Sequence, residues 1–416
     1  MKFRYSSTRV FGATVCCCVM LWPPLAGALT FDAALQLAER QSPSLQAEAE
    51  KLTAARQSAT PAGELPDPKL LLGMQNLPVE GNAAWRSGDD GMTMQMIGLM
   101  QEVPNRDKRN ARVELARASI GRAEAEHRVE ALNVRQATAQ AWIATHTLER
   151  KLELLKALFN ENHLLTETVQ AKIAGRRGPV ADAVIPRQEA ALLAEREDEL
   201  VQLRSQSRAA LTRWVGDAGQ ALLSGGLPSW PIDQQAFIER VRNHPQLAAY
   251  DPMLREAQAR IGEATADKKP DWSWEVDYLK RGREYGDMVN LKVSFDLPIF
   301  QRSRQSPRIA ARHAQLNQLE AEREASQRAV TERLTTELAE LERIQRALLR
   351  TSEVFLPLAH QRTELTLADY RAGTGELAAV LDARRELIET RLKHIDLQGL
   401  QAIATARLHF AYGDLQ

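Results

Sequence analysis

The sequence predicts a mainly α fold with a small membrane β part: long coiled-coil helices and four strands, too few to close a barrel within one chain. Three observations carry this. The 416-residue chain contains helical stretches longer than a globule needs. It contains alternating apolar–polar runs of about nine residues, the length that crosses a bilayer as a tilted strand. The same order of segments also occurs twice, at an offset of 197 residues between the best-matched phrases.

Composition sets the outer bounds. With 54 basic and 54 acidic residues the chain carries no net charge to draw it to nucleic acid. Aromatics are sparse at 5 % while charged residues reach 26 %, a mix that suits long solvated helices. Residues 1–28 read as a signal peptide. Lys2, Arg4 and Arg9 form a positive start, Val10 to Trp22 a short apolar run, and Ala26-Gly27-Ala28 a small-x-small cleavage signal. Cys16, Cys17 and Cys18 all fall inside it, so the exported chain has no thiol for a disulfide or a thiolate metal site. Lipidation at one of these cysteines fits poorly, because Val15-Cys16-Cys17-Cys18 lacks the small residues such a site needs. The rest of the chain has no apolar stretch near 18 residues, so membrane contact requires a β-barrel or a surface helix.

Residues 29–215 form a first repeat, 216–233 a linker and 234–416 a second repeat. "KIAGRRGPVADAVIPRQE" at 172–189 matches "YRAGTGELAAVLDARRE" at 370–386 through Gly178 and Gly375, Val180 and Leu377, and the triplets ending in Glu189 and Glu386. Pro43 and Leu45 stand over Pro245 and Leu247, and "QEVPNRDKRNAR" resembles "FDLPIFQRSRQSPR". The linker carries Gly225-Gly226, Pro228 and Pro231, residues that stop regular structure.

Within each repeat the helices come from pattern. From Lys108 to Ala171 there is no proline and one glycine, Gly121; at 1.5 Å per residue that is about 96 Å of helix. Leu148, Leu152, Leu155 and Phe159 make a coiled-coil seam, and Leu154, Leu158 and Leu165 a second row. Two rows imply neighbours on both sides. In the second repeat Leu334, Leu338, Leu341, Leu348 and Phe355 do the same. Pro307 suits a helix start, Pro357 should bend its helix, and Pro186 the return helix of the first repeat.

The strands decide between a soluble coiled coil and a membrane protein. Trp272, Trp274, Val276 and Tyr278 alternate with Ser273, Glu275 and Asp277; Val289, Leu291, Val293, Phe295 and Leu297 alternate with Asn290, Lys292, Ser294 and Asp296. One face is apolar and the other charged, and nothing in the chain covers the apolar face. Strands are expected at about 69–77, 92–100, 272–279 and 289–297. Glu275, Asp277, Lys292 and Asp296 are the expected lumen-facing residues, and three chains would supply an even, closed number of strands. The first repeat is less regular: Leu70, Leu72 and Met74, then Met92, Met94, Met96 and Met100. Methionine sulfur is a soft metal ligand, so Met92, Met94 and Met96 are weak metal candidates. The reading preferred here makes them lipid-facing, on the same side as Met74, with Thr93 and Gln95 toward water.

With these residues in place, the exported chain resembles the TolC-type outer-membrane channels over nearly all its length. Tyr370, Ala372-Gly373-Thr374 and Val380-Leu381-Asp382 look like that family's Y-x-x-G-T…V-L-D stretch, and "LPDPKLLLGMQNLPVEG" with "MTMQMIGLMQEVPNRDKR" resembles its heavy-metal-efflux, Cus and Czc-type, branch. The resemblance implies a homotrimer in the outer membrane of a Gram-negative bacterium. Its twelve strands would form the barrel, in contact with outer-membrane lipid, and its helices a periplasmic tunnel. It implies partnership with a periplasmic adaptor and an inner-membrane RND transporter, and passive conduction of heavy-metal cations such as copper and silver or cobalt, zinc and cadmium. It also implies that the two Gly-containing phrases are the helix turns at the inner, gated end. Gly175, Gly178, Gly373 and Gly375 would allow tight or left-handed backbone there, and Asp182 and Tyr370 would form a gate-closing hydrogen bond. Gly375 stands where the family places an arginine. Asp382 matches the second of two luminal acids, and Ala379 replaces the first.

No enzyme is implied, and no cofactor. The eight histidines are scattered, without a pair at zinc-ligand spacing, and no P-loop, G-x-S-x-G or Rossmann pattern occurs. Two alternatives stand beside the metal channel: a drug-efflux or type I secretion channel of the same fold, and a periplasmic coiled-coil scaffold without a pore.

Overall fold

A computed structural model of the chain describes residues 28–82, 84–86, 91–176, 179–282 and 284–413. The signal-peptide segment up to Gly27, and Gly178, lie outside the described residues.

Two short helices open the described chain, α1 (Phe31–Gln41) and α2 (Pro43–Ala59). The Thr30 hydroxyl caps α1 by accepting from the Ala33 N–H at 3.2 Å, and Pro43 opens α2 where no N–H is needed. Strands β1 (Lys69–Gln75) and β2 (Met94–Val103) follow, then α3 (Arg106–Ala174) and α4 (Ile185–Val215). The 69 residues of α3 span about 104 Å. Past an irregular stretch come α5 (Gln234–Arg240), the one-turn α6 (Pro245–Ala248), α7 (Tyr250–Ala266), and strands β3 (Trp272–Lys280) and β4 (Met288–Phe295). Helices α8 (Gln305–Arg350), α9 (Leu356–Ala372) and α10 (Leu377–Tyr412) complete the chain.

The long helices pack along successive leucine clusters. Leu152, Leu155 and Leu158 of α3 meet Leu193 and Leu200 of α4. Farther along, Leu165 and Val169 meet Tyr370, Leu377, Val380 and Leu381 on the α9–α10 side. So α3 does have neighbours on two sides, though Leu158 joins the α4 side rather than a row with Leu165. Midway, Phe31, Trp142, Leu211 and Val215 form the largest core. There the Trp142 indole is fully buried, edge-on to Phe31 at 5.5 Å, and donates to the Leu29 carbonyl at 3.2 Å. The linker packs on this core through Leu223, Leu227 and Trp230.

Two prolines behave differently from one another. Pro357 follows a π-helical turn, Thr351–Phe355, that separates α8 from α9, so the bend expected there is realised as a widened turn. Pro186 does not bend α4: it is the second residue of that helix, where its missing N–H costs nothing. Pro307 is the third residue of α8, which begins at Gln305.

All four strands form one antiparallel sheet in the order β1-β2-β3-β4. Its foot is tied to the helices by one polar knot. Asn105 caps α3 by accepting from the Lys108 N–H at 2.9 Å, and its own N–H donates to Asp271 Oδ1 at 2.7 Å. Lys108 Nζ then bridges Asp267 and Asp271 at 2.9 and 3.0 Å. Asn105 and the Lys108 ammonium hold the Asp271 carboxyl below its ordinary range despite the opposing effect of burial.

Candidate functional site

The sheet has two unlike faces, and register assigns them. Residues paired directly across antiparallel strands share a face. One row runs Leu72, Ile97, Tyr278, Val289; the next runs Leu70, Leu99, Val276, Leu291; beyond it Trp274 pairs with Val293 and Trp272 with Phe295. These side chains are open to the surroundings: Leu72 is 70 % exposed, Leu291 70 % and Phe295 62 %. Leu297, Ile299 and Phe300 continue the apolar surface past β4. An exposed apolar sheet face of this extent marks an interaction surface.

The opposite face carries Glu102, Glu275, Asp277, Asn290 and Lys292. Lys292 lies 3.5 Å from Glu275, and Lys69 is ion-paired with Glu102. Asp296, expected on this face, lies just past β4, its N–H donating to the Asp271 carbonyl.

The methionines overturn the sequence expectation. Met94, Met96 and Met100 pair with Gln75, with Gly73 and Leu279, and with Lys69 and Glu275, so they belong to the charged face, not the apolar one. Met74 pairs with Gln95 on the apolar face, opposite to them. Thr93 is buried and donates to the Asn76 carbonyl. Met92 precedes β2 and is exposed. The cause is compositional: in "MQMIGLMQEV" both parities are apolar, so alternation alone cannot orient β2.

At the far end of α3 lie the two helix turns. In the second, Gly373 is left-handed at φ +80°, and the Asp369 carbonyl accepts from the Thr374 and Gly375 N–H groups at 3.0 and 3.1 Å. A Cβ on Gly375 would lie 2.9 Å from Asp369 Cβ and 3.1 Å from the Tyr370 N, so this turn has no room for a side chain there. That accounts physically for glycine where the family pattern has arginine. Among the described residues of the first turn the left-handed one is Arg176 at φ 56°; Gly175, expected in that role, has φ −77°.

Tyr370 is 8 % exposed, set among Leu165, Val169, Leu377 and Val380. The Lys172 ammonium lies 3.6 Å from its ring centroid and donates to its carbonyl at 3.5 Å. Burial, and secondarily the negative charge of Asp182, push the Tyr370 phenol pKa up. Asp182 sits in the short turn Val180–Ala183, and among the described residues no hydrogen bond joins it to the Tyr370 hydroxyl. Asp382 is two-thirds exposed on α10, with Arg385 at 3.8 Å. Lys172 is not singled out by sequence; its place in the last turn of α3, just before the helix-ending Gly175, is the available signal.

No helix among the described residues is long and apolar enough to cross a membrane, and among them no cluster of three or more His, Cys, Asp or Glu could hold a metal.

Comparison with known proteins agrees with this architecture. Residues 239–414 match the family model of outer membrane efflux proteins. The cobalt-zinc-cadmium resistance protein CzcC of Cupriavidus metallidurans is 23 % identical over 381 residues, covering 90 % of this chain and 87 % of CzcC. The outer membrane protein VceC of Vibrio cholerae superposes with a TM-score of 0.77 at 17 % identity, covering 92 % of this chain and 96 % of VceC. CusC, whose crystal structures address transmembrane channel formation, gives 0.77 at 16 % identity, covering 92 % of each chain. A four-stranded sheet with an exposed apolar face, set on long helices that end in paired turns, is thus the fold this chain shares with VceC and CusC, and its residues 239–414 carry the outer membrane efflux protein pattern.

Proposed function

We propose that the protein is the passive exit channel of a tripartite RND efflux pump for heavy-metal cations, working as a homotrimer with a periplasmic adaptor and an inner-membrane transporter. One observation carries the reading. The sheet has a lipid-compatible face, a charged face, and two edges, β1 and β4, without a strand partner among the described residues. Open edges of this kind are satisfied by pairing with another chain, and in a bilayer every strand must be paired. Three copies joined β4 to β1 make a closed twelve-stranded barrel, apolar outside and charged within. Glu275 and Lys292 then line the water-filled lumen, while Asp277, expected beside them, is on the same face but buried.

The helices would continue this lumen as a tunnel, and the turns at Gly175 and Gly373 would close it, each protomer contributing both. Tyr370 and Asp182 belong to this closure. Lys172, seated on the Tyr370 ring, fastens the α3 end to the α9 end within the protomer. The metal cargo is supported by the similarity to CzcC, whose name states cobalt, zinc and cadmium resistance.

The test is direct. Purified full-length protein should cross-link as a trimer in detergent and give discrete currents in planar bilayers. Deleting its gene should sensitise the cell to cobalt, zinc, cadmium, copper or silver. A monomer that leaves bilayers silent would overturn the channel. Sensitisation to hydrophobic drugs alone would leave the channel and replace its cargo.

A further inference from the structure

The apolar face of the sheet ends against a polar hollow. At its foot Trp272 pairs with Phe295, and both rings are exposed. Just past β4, Leu297, Ile299 and Phe300 extend this surface and are exposed as well. Aromatic residues gather where a membrane meets water. On the reading of this face as lipid-facing, its foot therefore stands at the depth of the lipid headgroups.

Leu297, Ile299 and Phe300 also form one wall of a cavity of about 360 Å³, a size suited to a small polar group. Its other walls are ionic, and most of those ions are already paired. Lys108 bridges Asp267 and Asp271, Arg308 lies 3.3 Å from Asp267, and Lys269 is paired with Asp107. Two lining groups are left over. Among the described residues neither the Asp296 carboxylate nor the Arg304 guanidinium takes part in a hydrogen bond or an ion pair. Gln305 Oε1, on the same wall, is buried without a donor. The cavity thus presents an open anion, an open cation and a buried acceptor beside an apolar ledge.

We propose that this cavity receives the headgroup of a phosphoethanolamine lipid. Arg304 would take the phosphate, with Arg308 one helical turn further on, because the guanidinium fork matches phosphate oxygens. The ammonium has three N–H donors, which Asp296 and Gln305 Oε1 would accept. The acyl chains would lie along Ile299, Phe300 and the foot of the sheet. An anionic headgroup would leave Asp296 unanswered. A trimethylammonium has no N–H to give Gln305. The unpaired groups therefore select a primary ammonium joined to a phosphate over phosphoglycerol and phosphocholine. The site rests on the lipid-facing reading of the apolar face, and it would fix the height of the sheet in the bilayer.

The experiment is native mass spectrometry of the delipidated full-length protein in detergent. Phosphatidylethanolamine, phosphatidylglycerol and phosphatidylcholine with the same acyl chains are added in equal amounts. Phosphatidylethanolamine should be retained in preference to the other two. Arg304→Gln should lower its retention at least about fivefold, as loss of a charge-assisted hydrogen bond does. Asp296→Asn should erase the preference for ethanolamine over choline. Both side chains stand outside the ion pairs that tie the sheet to the helices, so both variants should fold. Arg346→Gln, farther along α8 and paired with Glu342, should retain lipid like the parent. Equal retention of the three lipids by the parent, or parent-like selectivity in either variant, overturns the site. Mixing the same samples with liposomes separates the two readings. Protein that stays outside the liposomes overturns the lipid-facing face and the site with it. Protein that inserts but shows no headgroup preference removes the site alone.

Discussion

The Lys172 ammonium sits 3.6 Å from the centroid of the Tyr370 ring. This contact joins the last turn of α3 to the last turn of α9, next to the two turns through which the tunnel would close. A cation on an aromatic face contributes about 0.5–1 kcal/mol when exposed and about 2 kcal/mol when desolvated. Tyr370 is mostly buried, so the pair belongs between these values. Lys172→Met keeps the aliphatic stem and removes the charge. A loss of about 1 kcal/mol shifts an open–closed equilibrium about fivefold, so this variant should raise the open fraction of single channels by that order. Tyr370→Phe keeps the ring and should gate like the parent unless the hydroxyl–Asp182 bond forms in the assembled trimer. The two variants recorded side by side therefore separate the two forms of closure.

The second turn leaves no latitude for side chains. Gly375→Ala would place a methyl 2.9 Å from Asp369 Cβ, forcing apart the carbonyl that holds Thr374 and Gly375. Gly373→Ala meets no neighbour but must keep φ +80°, which costs about 1–2 kcal/mol for a residue with a Cβ. Both should loosen the turn, the first by displacement and the second by strain. Protease nicking at this turn in the purified full-length protein should rise for both variants and stay at the parent rate for Gly286→Ala. That glycine lies in the β3–β4 loop, with nothing near its Cβ position.

The two faces of β4 should answer oppositely to the same substitution. Leu291, in the middle of the strand, is 70 % exposed on the apolar face, while Asn290 beside it faces Asp277. On a lipid-facing surface an arginine costs about 2–4 kcal/mol at the bilayer midplane. Leu291→Arg should therefore lower recovery of folded protein from outer membranes severalfold. Asn290→Arg should fold and change ion selectivity, because it adds a positive charge to the lumen wall beside a buried carboxylate. Equal recovery of the two would remove the lipid-facing assignment.

How far the sequence carries depends on which residues speak. In β3 and β4 the period-2 pattern is clean, Trp272, Trp274, Val276 and Tyr278 against Ser273, Glu275 and Asp277, and it orients both strands without a structure. In β2 it fails, since Met94, Met96 and Met100 are as apolar as Ile97 and Leu99. Only pairing to the already oriented β3 shows which face each takes. The long helices were legible from the absence of proline and glycine. Pro186 was misread because a proline at the second residue of a helix and one in its interior look alike until the helix start is known. The left-handed role assigned to Gly175 went instead to Arg176, since chain direction at a tight turn depends on packing of both helix ends. Lys172 and the Gly98–Asp277 contact join residues about 198 and 179 positions apart, and no local pattern encodes such pairs.

His244 supplies a pH dependence whose sign can be worked out. It is 3 % exposed, its Nδ1 accepts from the Gln246 N–H at the start of α6, and its ring lies 5.3 Å from that of Tyr412. Burial, and secondarily the positive charge of Arg333, lower its pKa to about 4. The unfolded chain holds this histidine near 6.5, so between pH 6.5 and 4 the unfolded state binds the extra proton and the folded state does not. Stability from the neutral ring is complete above pH 6.5 and is lost as pH falls toward 4. The span corresponds to a loss on the order of 3 kcal/mol. Glu337, whose pKa burial raises, works in the opposite direction, because its proton is held more tightly in the folded state. His244→Asn keeps an acceptor for the Gln246 N–H and removes the titration. Thermal unfolding of the parent in detergent should drop between pH 7.5 and 5, while the asparagine variant, less stable at neutral pH, should drop by clearly less. Parallel curves for the two proteins would show that His244 is not the group that titrates.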